Sequence, residues 1–86
     1  MTVLYRIKTS LLEFDTVGRI EKAAGTPFLR LTCTTDQAFA VQADIDRKLA
    51  VEILCCDGDQ VVMPGRTTRV KARPNGFRVE LACILG

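Results

Sequence analysis

The run VKARPNGFRVEL, residues 70–81, sets an Asn-Gly pair between two alternating segments, and no other feature commits the chain so firmly to antiparallel β structure. Asn and Gly tolerate the positive φ angles of a two-residue turn, so such a pair between alternating runs signals a hairpin. A loop at Asn75-Gly76 predicts that Pro74 faces Phe77, Ala72 faces Val79 and Val70 faces Leu81. Every pair on that face is then apolar. The other face sets Arg73 against Arg78 and Lys71 against Glu80. A three-residue loop would mix the faces, because a one-place slip exchanges core and solvent sides.

The same period of two recurs upstream. VLYRIK sets Val3, Tyr5 and Ile7 against Leu4, Arg6 and Lys8, and FLRLTCT sets Leu29, Leu31 and Cys33 against Phe28, Arg30 and Thr32. TTDQ reads as a turn into a further strand, AFAVQADI, where Phe39, Val41, Ala43 and Ile45 share a face. Two segments admit helix or strand. In residues 10–24, Ser10 and Glu13 have capping-box spacing and Gly25 could stop a helix, whereas Val17 and Gly18 favour a strand at TVGRIEK, paired across AGTP with FLRLTC. In residues 46–56, Asp46 could cap a helix, but Leu49, Val51, Ile53 and Cys55 alternate and β-branched residues favour the strand. Met63-Pro64-Gly65-Arg66 reads as a type II turn at a corner.

A chain of 86 residues buries only roughly 60 to 65 % of its unfolded surface and supports one core. The expected fold is therefore all-β: a single domain over residues 1–86, a small antiparallel barrel or roll of about six strands, with room for one short helix. No apolar run approaches the roughly 18 residues of a membrane span. No signal segment is read at the N-terminus, which favours a cytoplasmic protein without a membrane partner.

Charge is segregated along the chain. Residues 35–59 carry Asp36, Asp44, Asp46, Glu52, Asp57 and Asp59 against Arg47 and Lys48, a net −4, while residues 60–86 carry a net +4. Opposite blocks of equal size can neutralise each other within one molecule or between copies. Arg66, Arg69, Lys71, Arg73 and Arg78 form the candidate anion- or partner-binding set. Arg73 opposite Arg78 should repel, and a phosphate or a carboxylate from the acidic segment would relieve that repulsion. The last segment, ELACILG, is apolar at both parities, so Ala82, Ile84 and Leu85 are the candidate apolar interface.

Catalytic and cofactor signatures are missing from this reading. The chain has no His and no Gly-rich phosphate loop, and Asp57-Gly58-Asp59 is most simply a turn. Cys33, Cys55, Cys56 and Cys83 match no zinc spacing and read as reduced, small core residues. The function expected is a non-enzymatic interaction or assembly module, self-associating or a small structural subunit of a larger complex or particle. The alternative is a small β-barrel that binds nucleic acid through the basic face of the 66–81 hairpin. Phe77 weighs against that alternative, because the expected register puts it on the apolar face, away from the cations.

Overall fold

The computed structural model describes the backbone of residues 3–57, 60–76 and 78–85, and the side chains of residues 3–56, 69–74 and 78–85. Six strands and one helix follow in the order β1 (Val3–Lys8), β2 (Glu13–Ala23), β3 (Thr26–Cys33), α1 (Thr35–Asp46), β4 (Val51–Asp57), β5 (Gln60–Asn75) and β6 (Arg78–Leu85). All pairings are antiparallel, and they run round a closed barrel in the order β1-β2-β3-β6-β5-β4. The all-β expectation holds, with strands at both segments where a helix had competed.

Two strands change partners midway, and they make the barrel's corners. β2 pairs with β1 through residues 13–18 and with β3 through residues 18–23. β5 pairs with β4 through residues 60–67 and with β6 through residues 67–75. One sheet thus holds β1 and β4, the other β3 and β6, and the two share β2 and β5. At the first corner, Gly18 faces both Val3 and Leu31 across the ladders. A Cβ there would lie 2.6 Å from Leu31 Cδ2 and 2.9 Å from the Arg30 carbonyl oxygen, so the backbones approach as closely as only glycine permits.

Inside, the alternation read from the sequence becomes the core. Tyr5, Ile7, Leu29, Leu31, Cys33, Val51, Ile53, Leu81 and Cys83 point inward and are buried, and Ala38 and Val41 of α1 join them. Removing each large aliphatic side chain from water contributes about 1.5–3 kcal/mol. Thr16 on β2 adds a cross-strand hydrogen bond, its hydroxyl donating to the Thr32 carbonyl oxygen.

Three local expectations are corrected. Residues 38–45 are helical rather than extended, because Thr34 and Gln37 form a capping box. The Gln37 N–H donates to Thr34 Oγ1 at 3.2 Å, and the Thr34 N–H donates to Gln37 Oε1 at 3.0 Å. Met63-Pro64-Gly65-Arg66 is no corner turn. Its residues lie inside β5 in register with β4, Leu54 opposite Pro64 and Ile53 opposite Gly65.

The final hairpin is real, but its register is offset by two positions. Asn75 pairs with Arg78, Pro74 with Val79, Arg73 with Glu80, Ala72 with Leu81 and Val70 with Cys83. An offset of two preserves parity, so the two faces stay as expected. Gly76 takes the positive φ of 61° that the turn needs, which spares Asn75 the left-handed conformation. The expected Arg73–Arg78 repulsion is replaced by an opposite-charge pair, Arg73 with Glu80. The pairing proposed for Phe77 lies outside the described residues.

Candidate functional site

The outward residues of β2, β3, β6 and β5 line up in ladder rows. One row runs Arg19, Arg30, Ala82, Lys71, and the next runs Glu21, Phe28, Ile84, Arg69. A third sets Thr32, Glu80 and Arg73 side by side. Adjacent strands lie about 4.8 Å apart, so each row brings together side chains from distant parts of the chain. Phe28, Ala82 and Ile84 form an apolar floor, and Arg30, Arg69 and Lys71 rise beside it, around an open groove of about 670 Å³.

Arg30 anchors the charge pattern. Its guanidinium lies 3.3 Å from Glu21 Oε2 through one terminal nitrogen and 3.3 Å from Glu80 Oε2 through the other. Glu21 also lies 2.6 Å from Arg19 Nε, so one carboxylate separates two arginines that face each other across the ladder. The Arg30 guanidinium carbon lies 5.8 Å from the centre of the Phe28 ring, a cation–π distance. Arg30 Nε is buried without a hydrogen-bond partner among the described residues. Arg69, Lys71 and Arg73 are exposed and make no ion pair among the described residues. Three exposed cations at alternate positions therefore follow one strand.

Of the residues expected at this site, Arg69, Lys71 and Arg73 share the outward face of β5, and Lys71 and Arg69 border the groove. Arg78 is exposed on β6 beside the hairpin turn, beyond the groove. Arg66 pairs with Glu52 on the half of β5 that belongs to the other sheet, and its side chain lies outside the described residues. The candidate apolar interface divides: Ala82 and Ile84 line the groove, whereas Leu85 packs against the core. The apolar strand and the basic face, read as two surfaces, are floor and rim of one.

Arg30 and Phe28 were not among the expected site residues. Their only signal was parity, since both occupy outward positions of FLRLTCT, and the partner strand lies some fifty residues away. Among the described residues, the carboxylates that reach this face are Glu21 and Glu80, neither of them from the acidic segment. Asp44, counted in that segment, is buried instead. It accepts the Ser10 N–H at 2.7 Å through Oδ2 and the Ser10 hydroxyl through Oδ1, fastening the β1–β2 connection to α1. The Asp57-Gly58-Asp59 corner falls largely outside the described residues.

Among the described residues, no three His, Cys, Asp or Glu side chains converge as metal ligands would, and no helix is long and apolar enough to cross a membrane. No protein-family model matches the chain, and neither the curated proteins nor the solved structures provide a match.

Proposed function

We propose that the chain is a non-enzymatic interaction module whose groove across β3, β6 and β5 accepts an acidic protein segment carrying an exposed apolar side chain. The observation that carries this reading is the placement of Phe28, Ala82 and Ile84 directly beside Arg69 and Lys71 in the same ladder rows. An apolar contact desolvates the site and a carboxylate relieves the cations, so only a partner with both features satisfies it. Nucleic acid is the second reading, favoured by the alternate spacing of Arg69, Lys71 and Arg73 along one strand. It stands behind because a single-stranded groove stacks successive bases on several aromatic rings. Among the described residues, the one ring on this face, Phe28, is half-buried with Arg30 already over it.

The test is a pair of titrations followed by fluorescence anisotropy, one with an acidic helical peptide bearing a single Phe, the other with oligothymidylate. The peptide is expected to bind, and R69E/K71E to weaken it at least about 10-fold, the loss of roughly 1.4 kcal/mol. Tighter binding of the oligonucleotide, collapsing between about 50 and about 200 mM salt, would move the assignment to nucleic acid.

A further inference from the structure

We infer that the segment which fills the groove is helix α1 of a second copy of this chain. The inference rests on the groove's assignment as an acceptor of acidic, partly apolar protein. Its evidence lies on the opposite partner, the outward face of α1. Phe39 is 72 % exposed, the most exposed of the large hydrophobic side chains among the described residues. Asp36, Phe39, Ala43 and Asp46 are spaced by three, four and three residues, so they share one stripe of the helix. Both aspartates are exposed, and the helix contains no Lys or Arg. The stripe is acidic, apolar and acidic in order, the complement of an apolar floor between cations.

The dimensions agree as well. Ten residues of helix separate Asp36 from Asp46, a rise of about 15 Å. Four residues of strand separate Arg69 from Arg73, about 13 Å. A helix laid along β5 can therefore set an aspartate near each end of the Arg69–Lys71–Arg73 row while Phe39 reaches the floor at Ala82 and Ile84. The molecule's own helix cannot do this. Ala38, Ala40, Val41 and Asp44 hold its opposite face against the barrel, so Phe39 points away from its own groove. Ile45, near the end of α1, borders that groove, which places donor and acceptor surfaces side by side on one molecule. Two copies can then dock their helices reciprocally in each other's grooves about a two-fold axis.

Equilibrium sedimentation of the full chain under reducing conditions tests this. The wild-type chain should associate, and both Phe39→Ser and R69E/K71E should raise the dissociation constant at least about 10-fold. Phe39 is exposed, so Phe39→Ser should leave the far-ultraviolet circular dichroism unchanged, and the melting temperature too when both chains are diluted to the monomer. The decisive step mixes the two variants. Each retains the half that the other lacks, so an equimolar mixture should form a one-to-one complex that neither variant forms alone. A monomeric wild-type chain, association insensitive to Phe39→Ser, or a mixture that stays monomeric would each overturn the inference. The groove's assignment would survive any of these if the acidic peptide still bound and R69E/K71E still released it.

Discussion

Cys33 and Cys83 face inward on β3 and β6, and their surroundings decide their chemistry. Both are free thiols at 1 % and 0 % exposure. Burial pushes Cys33 from its ordinary 9.0 up to about 11. Cys83 is pushed up to about 12, by burial first and then by the neighbouring Cys33. Burial also raises the Tyr5 hydroxyl, with Cys55 adding to the effect. The folded chain thus keeps protons that the unfolded chain releases above about pH 9. Stability from these groups is complete below that pH and is lost as pH climbs towards the folded values, by at most about 1.4 kcal/mol per pH unit per thiol. The expected outcome is a urea midpoint that holds between pH 7 and 8.5 and falls steadily above pH 9, measured with reductant present. In Cys83→Ala the midpoint starts lower, because a buried sulfur is lost, but its decline above pH 9 is shallower. A decline of equal steepness in that variant would show that the thiol does not drive it.

At the scale of elements, α1 depends on its first turn. Thr34 and Gln37 satisfy each other's backbone N–H groups, and Asp36 adds a negative charge where the helix dipole is positive. Thr34→Ala should therefore cost about 1 kcal/mol in denaturant unfolding, and Thr34→Ser much less, since Ser restores the accepting oxygen. Equal losses in both would show that the box contributes nothing. The box also explains what the letters disclosed and what they hid. Ser10 and Glu13 repeat its spacing, yet Ser10 lies between β1 and β2, where it donates to Asp44 instead, and Glu13 opens β2 opposite Lys8. Spacing alone could not separate the two. Ala38, Ala40 and Ala43 favour helix at the second site, whereas Val17 and Gly18 oppose it at the first. Apolar residues of 38–45 satisfy a period of two as readily as a helical one, and over so short a run neither wins. Strands β1 and β3 were legible from their alternation, and β6 from the Asn75-Gly76 hairpin signal. The Pro64-Gly65 pair hid the continuity of β5, since its local signal for a turn gave way to pairing with β4. The rim of the groove was legible from Arg69, Lys71 and Arg73, which share parity on one strand. Of its floor, Ala82 and Ile84 were legible in the apolar last strand, whereas Phe28 was not, because it meets Ile84 only through the β3–β6 ladder.

Over the whole molecule, the sharing of β2 and β5 should bind the two sheets into one cooperative unit. Residues 13–18 of β2 belong to the sheet of β1, and residues 18–23 to the sheet of β3, so neither sheet can open without disturbing a strand of the other. β5 does the same on the far side. Strand β6 lies between β3 and β5, so the second sheet cannot form until residues 78–85 have joined segments some fifty residues upstream. Such long-range closure predicts slow folding, in milliseconds to seconds, without an independently stable half. Two natural reporters make this measurable. Tyr5, the sole tyrosine of a chain without tryptophan, stands in β1. Cys83 stands in β6, sealed from reagents while that strand is paired. Urea unfolding followed by Tyr5 fluorescence, and by pulsed alkylation of Cys83 with mass-spectrometric readout, should give coincident midpoints and the same slope. If Cys83 became reactive at a urea concentration where Tyr5 fluorescence was still native, the sheet of β3 and β6 would be opening by itself. Cooperative closure through β2 and β5 would then be the wrong account of this barrel. Should the two curves superimpose, the surface across β3, β6 and β5 is held by the stability of the entire ring and opens only when the whole barrel does.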